Sequence, residues 1–332
     1  MTPPEGAVSS ETPATATPPP QPLDPIAERR NHLAYLLTAI VCYVGFGLIL
    51  PLMHYRPHRM HLPEMLLIFV APTLAFMFLQ MWIPWCLTRI KQELTWEIKE
   101  LAVFGVMWLF LMLGFNHPSG KSAVVIGSLT NLAETITLGL IGGLIARIVR
   151  EAKILLPLGI VAGLIDIVGA MTPMGFTNKM VNSHPAVVSH VSVHMPTVAG
   201  IQVATIGPGD LLFIAFFFAV VHRHKLNTRW TFRLVYSLLT LSMLIVQIFG
   251  YPIGALAPMG VGVIVANWKY FTYSREEKFA MLYASLISLA AAIGFFYYTH
   301  SHVFTQDPAD GPAPRQTAPV HPSKPNTMRA PK

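Results

Sequence analysis

Long, uninterrupted apolar blocks are the feature of this 332-residue chain that most restricts its fold. A helix needs about 20 residues to cross the hydrocarbon core of a bilayer. Backbone polar groups find no water there, so each block must satisfy them internally as a helix. We therefore predict an all-α, polytopic transmembrane helix bundle of about nine spans. The predicted segments are 33–53, 63–87, 98–115, 123–148, 154–175, 198–221, 231–251, 252–271 and 278–299.

The composition excludes several other classes of protein. Hydrophobic residues make up 53% of the chain and charged residues only 12%, whereas an average soluble domain has roughly 25% charged residues. The mean hydropathy is +0.52. Because so few charges cannot cover a water-facing surface, a soluble globular protein, a disordered protein and a disulfide-linked secreted module are all excluded.

Four regions follow from the pattern along the chain. Residues 1–27 and 301–332 are rich in proline and small residues and contain no long apolar block. Such stretches bury too little apolar surface to fold, so we expect disordered N-terminal and C-terminal tails. Residues 28–150 are predicted to hold the N-terminal transmembrane helices. Residues 151–300 are predicted to hold the remaining transmembrane helices, which carry two aspartates inside apolar segments.

Basic residues are unevenly distributed among the short loops. They concentrate before the first predicted segment and after the second, fourth, sixth and eighth. Because short cytoplasmic loops are enriched in Lys and Arg, this pattern places the N-terminus in the cytoplasm. The same interpretation accounts for the net charge of +7 without a nucleic-acid partner. We predict a multi-pass integral membrane protein embedded in the lipid bilayer.

Two acidic residues, Asp166 and Asp210, lie inside strongly apolar segments. A charge at the bilayer centre costs about 2.5–3.5 kcal/mol on insertion scales, so such residues persist where they face protein or water. The loop between the two segments makes their helices antiparallel, which places both acids roughly 10–20 Å below the same membrane face. Two carboxyl groups that share a dry site hold one proton between them, which suits the activation of a water molecule. Asp166 and Asp210 are therefore our predicted catalytic pair.

The residues before Asp210 predict an interruption of the helix. Gly207, Pro208 and Gly209 cannot continue a regular helix without cost. We expect extended backbone there and a new helix that begins near Asp210, with its positive dipole end at the acid. Free backbone groups in such a segment can pair with an unwound peptide substrate.

Three motifs resemble those of a known family. Residues 207–210, Gly-Pro-Gly-Asp, match the GxGD motif of the presenilin and signal peptide peptidase family of intramembrane aspartyl proteases. Residues 166–175 are similar to the family's first acidic motif, with the acid, the proline and the glycine at the same spacing. Residues 254–256, Gly-Ala-Leu, resemble the family's Pro-Ala-Leu region. The order of the motifs also agrees, and the resemblance covers about residues 150–271.

The resemblance implies a mechanism. A substrate helix from a single-pass membrane protein or a signal peptide would enter laterally and unwind, and a water between Asp166 and Asp210 would attack its scissile carbonyl. The resemblance implies no metal or other cofactor. It also implies no obligatory accessory subunit, as in signal peptide peptidases and microbial relatives. The implied substrate-binding residues are Gly207, Pro208, Gly209, Gly254, Ala255 and Leu256.

The chain departs from the family at two positions. Ile165 stands where the family usually has tyrosine, which removes a hydroxyl that can bond near the acids. Gly254 stands where the family has proline, which is expected to make the substrate-contacting loop less rigid.

Three other functions remain open at the level of sequence. A proton-coupled secondary transporter would use the two acids and Glu134 as proton carriers. A prepilin peptidase also uses a GxGD aspartate, but that family places Lys soon after it, whereas Leu211 and Leu212 follow here. An inactive relative would bind helices without cutting them.

Two further groups of polar residues favour structural roles. His184, His190 and His194 include a spacing that occurs in zinc sites, but prolines surround them and we interpret them as a surface loop. Glu134 is one helical turn from Asn131, and we interpret it as a partner of Asn131 and Thr130 rather than as an ion carrier.

Overall fold

A computed structural model describes residues 25–52, 64, 66–90, 93–114, 121–171, 183, 192–195, 205–249 and 254–305 of the chain. Within these residues the chain forms nine α-helices, each at the position of one predicted segment. Shorter helical turns lie at Leu50–Leu52, Leu66–Val70, Ala152–Ile154 and Trp268–Tyr270. The helices are α1 (Pro25–Ile49), α2 (Ala71–Leu87), α3 (Leu94–Gly114), α4 (Lys121–Ala146), α5 (Leu155–Met171), α6 (Pro208–Arg223), α7 (Thr228–Phe249), α8 (Leu256–Asn267) and α9 (Arg275–Thr305).

Six of the helical stretches in the described residues are long and apolar enough to cross a membrane. The prediction of a helical membrane protein is therefore confirmed, while the count of nine crossings stays a prediction. Helices α6 and α8 have only 16 and 12 residues, which is shorter than the hydrocarbon thickness requires. The six stretches are Arg29–Ile49, Ile68–Leu87, Ser122–Ala146, Ala152–Gly169, Thr228–Phe249 and Arg275–Tyr298.

The helices pack into two connected groups. Helix α4 is central to the first and contacts α1, α2, α3 and α6. Helix α5 belongs to the second, in which it contacts α8 and α9, while α8 also packs on α7. One buried cluster joins α1, α2 and α4 around Tyr43, Phe76 and Ile136, and another joins α6, α7 and α8 around Phe217 and Met259. Helix α6 thus lies where the two groups meet.

A short antiparallel strand pair interrupts the helical architecture. Strand β1 (Val193–His194) pairs with β2 (Thr205–Ile206), with Val193 opposite Ile206. The Asn131 side chain attaches β1 to α4, because its Nδ2 donates a hydrogen bond of 2.7 Å to the carbonyl oxygen of His194. The predicted apolar segment 198–221 is therefore not one continuous helix: residues 205–207 are extended and the helix begins at Pro208. Proline and glycine in residues 207–209 account for this break.

The outermost helices extend into the regions predicted as tails. Helix α1 begins at Pro25, inside the predicted N-terminal tail, and α9 continues to Thr305, inside the predicted C-terminal tail. The other residues of both predicted tails lie outside the described part of the chain.

Candidate functional site

Small residues bring α5 and α8 into backbone contact. A Cβ atom at position 260 would lie 2.8 Å from the carbonyl oxygen of Gly159, and a Cβ atom at position 163 would lie 3.2 Å from the Cα of Ala257. Gly159 and Gly163 are four residues apart and share one face of α5, as in the small-residue contacts of membrane helices. Asp166 follows Gly163 by three residues and lies on the same face. The close approach of the two helices therefore places Asp166 at the beginning of α8.

The Asp166 carboxyl group binds the first turn of α8. The backbone N–H of Leu256 donates a hydrogen bond of 2.7 Å to Oδ2 of Asp166, and the N–H of Ala257 also donates to this carboxyl group. Ala255 precedes the helix and provides no capping side chain. The first N–H groups of a helix lack partners within the helix and carry its positive dipole end. Asp166 therefore serves as the N-cap of α8 from a different helix.

Gly254 makes room for this carboxyl group. A Cβ atom at position 254 would lie 2.5 Å or less from the carboxyl carbon and both carboxyl oxygens of Asp166. Any side chain, including the ring of proline, would have to displace the acid. From the sequence, glycine in place of proline at position 254 predicts a less rigid loop. In the structure, its direct effect is to let the Asp166 carboxyl group reach the backbone of residues 254–257.

Asp210 lies in the first turn of α6, as the sequence predicted. Gly207 precedes the helix with extended backbone angles (φ −67°, ψ 148°), and Pro208 occupies the first helical position. The backbone N–H of Asp210 donates a hydrogen bond of 3.1 Å to the carbonyl oxygen of Gly207, and the N–H of Gly207 donates to the Asp210 carboxyl group. This reciprocal arrangement resembles a capping box and fixes the acid at the positive end of α6.

The two carboxyl groups therefore occupy equivalent places. That of Asp166 lies at the beginning of α8, and that of Asp210 lies at the beginning of α6. Their own helices pack mainly elsewhere, α5 against α8 and α9, and α6 against α4. The link between them is α8, which contacts both α5 and α6. Two carboxyl groups that come together beside backbone N–H donors can bind and polarise a water molecule.

The other predicted substrate-binding residues divide between the two acids. Gly254, Ala255 and Leu256 surround Asp166, whereas Gly207, Pro208 and Gly209 precede Asp210. A Cβ atom at position 209 would meet no atom of the described residues within 4 Å, so the backbone of Gly209 borders open space in this part of the structure.

Ile165 lies on the outer surface of α5. It is 66% exposed, so this position faces away from the α8 contact that Asp166 makes.

The structure describes only one of the three histidines that we interpreted as part of a surface loop. His184 and His190 lie outside the described residues, while His194 belongs to β1. In the part of the chain that the structure describes, no group of three His, Cys, Asp or Glu side chains is arranged to bind a metal ion.

Glu134 has a different environment from the one the sequence suggested. It is 1% exposed, and its Oε1 has no hydrogen-bond partner among the described residues. Asn131 donates instead to His194, and the Thr130 hydroxyl donates to the carbonyl oxygen of Ile126. Asn131 and Thr130 therefore donate these hydrogen bonds to backbone carbonyl oxygens and not, as the sequence had suggested, to the Glu134 carboxyl group.

A buried polar cluster beside Glu134 escaped the sequence analysis. Nε2 of Gln80 donates a hydrogen bond of 2.7 Å to the hydroxyl of Tyr43, and the Thr135 hydroxyl is 3.0 Å from Oε1 of Gln80. All of these side chains are buried. The signal for the cluster was present in the sequence, because Gln80 and Thr135 are polar residues inside apolar segments.

Comparison with protein-family models, curated proteins and solved structures gives no match for this chain. The likeness to presenilin and signal peptide peptidase therefore rests on the three motifs alone.

Proposed function

We propose that the protein is an intramembrane aspartyl protease, an aspartic endopeptidase that hydrolyses peptide bonds of transmembrane helix substrates. The observation that carries this proposal is the placement of two acids, Asp166 and Asp210, at the first turns of α8 and α6, two helices that contact each other. Each acid is held by backbone N–H groups at the beginning of a helix. A purely structural cap explains either acid alone, but it does not explain why two acids cap helices that contact each other.

The proposed reaction uses one water molecule and no cofactor. One acid, as a carboxylate, removes a proton from the water while the water oxygen attacks the scissile carbonyl carbon. The other acid, as a neutral carboxyl group, donates its proton to the carbonyl oxygen. Collapse of the resulting gem-diol transfers a proton to the amide nitrogen, breaks the C–N bond and releases two peptide ends.

Extended backbone next to Asp210 supports the proposed mode of substrate binding. Strand β2 leads directly into Gly207, and Gly209 borders open space. A substrate helix must unwind before its carbonyl carbon is accessible, and an unwound peptide can add to exposed backbone groups as a strand. We place the substrate between residues 205–209 and the Gly254–Leu256 segment.

The proposal takes the protein to cross the membrane about nine times, with its N-terminus in the cytoplasm and without accessory subunits. Helices α6 and α8 are too short to span alone, but both have many buried side chains. Short helices that begin inside a bundle are tolerated where protein surrounds their ends. Such helices would allow Asp166 and Asp210 to lie at membrane depth.

A reconstituted cleavage assay tests the proposal. The purified protein is incubated in liposomes with a fluorogenic transmembrane peptide, and the wild type is compared with Asp166→Asn and Asp210→Asn. We expect cleavage to be lost in both variants, while Glu276→Gln, at an exposed acid in the first turn of α9, keeps wild-type activity. Cleavage that persists in either aspartate variant would overturn the two-acid mechanism.

Glu134 supports a second candidate function, a proton-coupled secondary transporter. Glu134 is a fully buried carboxyl group with an oxygen that has no partner among the described residues, and such a residue can relay protons in membrane transporters. This function predicts proton flux in liposomes that depends on Glu134 and occurs without peptide cleavage. Proton flux lost in Glu134→Gln, together with an inactive wild type in the cleavage assay, would favour the transporter.

A further inference from the structure

A cavity of about 460 Å³ lies between α1, α2 and α7. Among the described residues, neither Asp166 nor Asp210 lines this cavity, and nor do residues 207–209 or 254–256. Tyr35 of α1 and Trp82 of α2 contribute to its aromatic wall, while Arg89 and Arg229 contribute two positive charges. The described lining residues include no acid. The volume is within the range of small-molecule sites, which is about 300–1,000 Å³.

The apolar wall of the cavity is a connected set of rings. Phe78 packs against Trp82 at 5.7 Å and edge-on against Phe232 at 5.5 Å, and Trp85 lies 5.5 Å from Phe232. Phe232 belongs to α7 and the others to α2, so the rings join the two helices. Aromatic pairs of this geometry each contribute about 0.5–1.5 kcal/mol beyond the area that they bury. The wall is therefore a preformed apolar surface.

The end of the cavity that contains Arg89 and Arg229, here the charged end, is held by contacts with neighbouring side chains. The Arg89 guanidinium lies over the ring of Trp85, 3.6 Å from its centroid, and Nη2 of Arg89 is 3.2 Å from the hydroxyl oxygen of Thr228. Arg229 is the next residue after Thr228, and its side chain is exposed. The buried indole N–H of Trp85 has no acceptor in the described part of the chain. The two guanidinium groups border the same space and form a set of charged donors for an anion.

The charged end lies where three candidate spans end. Arg89 lies two residues after the end of α2, Arg229 is the second residue of α7, and Tyr35 is near the beginning of the Arg29–Ile49 span. Tryptophan, tyrosine and arginine at the ends of spans typically lie at the level of the lipid headgroups. Basic pockets between transmembrane helices at this level bind anionic headgroups.

We propose that this cavity binds one anionic phospholipid of the surrounding membrane. Its phosphate bridges Arg89 and Arg229, and the adjoining part of an acyl chain lies against the aromatic wall. A soluble phosphate would satisfy the arginines but leave the aromatic wall uncovered. A zwitterionic lipid would bring its own cation next to two guanidinium groups. The combination of two positive charges and an apolar wall therefore favours a lipid with a net negative charge. The bound lipid would connect α1, α2 and α7.

Thermal unfolding of the full chain in detergent, titrated with phosphatidylglycerol, tests this site. A ligand that binds only the folded protein raises its melting temperature with ligand concentration. We expect stabilisation by phosphatidylglycerol, and little by phosphatidylcholine or inorganic phosphate. Native mass spectrometry should show one retained anionic lipid per chain. Equal stabilisation by phosphatidylcholine, or full stabilisation by inorganic phosphate alone, would overturn the proposal.

Two arginine variants locate the site. Arg229→Gln should weaken the apparent affinity for phosphatidylglycerol about tenfold, because it removes one charge-assisted phosphate contact. The matched control is Arg233→Gln, one turn further along α7, where the side chain lies over Trp230 and outside the cavity lining. Arg229 is exposed, so its variant should fold. Equal affinities in the wild type and in Arg229→Gln, or an equal loss in Arg233→Gln, would exclude this cavity as the binding site.

Discussion

The carboxyl group of Asp166 occupies the space that a side chain at position 254 would fill, so the presence of the acid there requires Gly254. The acid uses this space to bind the N–H of Leu256 at 2.7 Å. A residue on α5 and a residue before α8 are thus sterically coupled, although they are distant in sequence. This coupling links the first acidic motif to the Gly-Ala-Leu segment.

Substitution of Gly254 tests this coupling. Gly254→Ala should displace the Asp166 carboxyl group, abolish the proposed cleavage and lower the free energy of unfolding by about 1–3 kcal/mol, as overpacking does. Thermal unfolding and peptide cleavage measure the two effects. The control is Gly127→Ala in α4, where a new Cβ atom meets no atom within 4 Å. Normal activity in Gly254→Ala would show that the two residues are not coupled in this way.

The structural and chemical roles of Asp166 can be separated by two substitutions. Asp166→Asn keeps an oxygen that accepts from Leu256, whereas Asp166→Ala removes the cap of α8 and should cost about 0.5–2 kcal/mol of stability. Cleavage should be lost in both, because neither side chain exchanges a proton with water. Melting temperatures and rates are measured side by side. Activity in the stable asparagine variant would mean that Asp166 is only a cap.

The position of Asp210 depends on the packing of α6 against α4. A Cβ atom at position 142 would lie 2.6 Å from the carbonyl oxygen of Leu212 and 2.8 Å from the backbone nitrogen of Phe216. Gly142→Ala should therefore separate the two helices, lower stability by about 1–3 kcal/mol and reduce the proposed activity. Gly143→Ala is the matched control, because the neighbouring position has open space. Equal melting temperatures for the two variants would contradict this packing.

Removal of the buried carboxyl group of Glu134 separates the two candidate functions. Glu134→Gln keeps the shape of the side chain and replaces a carboxyl group whose Oε1 is unpartnered among the described residues. We expect unchanged or increased thermal stability, because an isolated buried carboxyl group is costly. The proposed protease activity should persist, since Glu134 is not part of the two-acid site. Loss of cleavage in a stable Glu134→Gln variant would assign this residue a role in the reaction.

The local sequence determined the secondary-structure elements and the position of Asp210, one of the two acids of the candidate site. Uninterrupted apolar blocks must form helices because lipid offers no partner for free backbone groups, and the nine helices lie at the predicted segments. The beginning of α6 at Pro208 was equally predictable, because Gly207 and Pro208 restrict the backbone through local sterics. Asp210 consequently lies where the sequence placed it, in the first turn of a helix.

The tertiary structure determined the environment of Asp166, the other acid of the candidate site. Whether Asp166 faces lipid or protein depends on which helix packs against Gly159 and Gly163, and hydropathy does not distinguish these faces because lipid and protein interior are equally apolar. Only the contact with α8 turned Asp166 into a cap and made Gly254 necessary. The cavity between α1, α2 and α7 has the same origin, since its rings and arginines come from segments that only the packed bundle brings together.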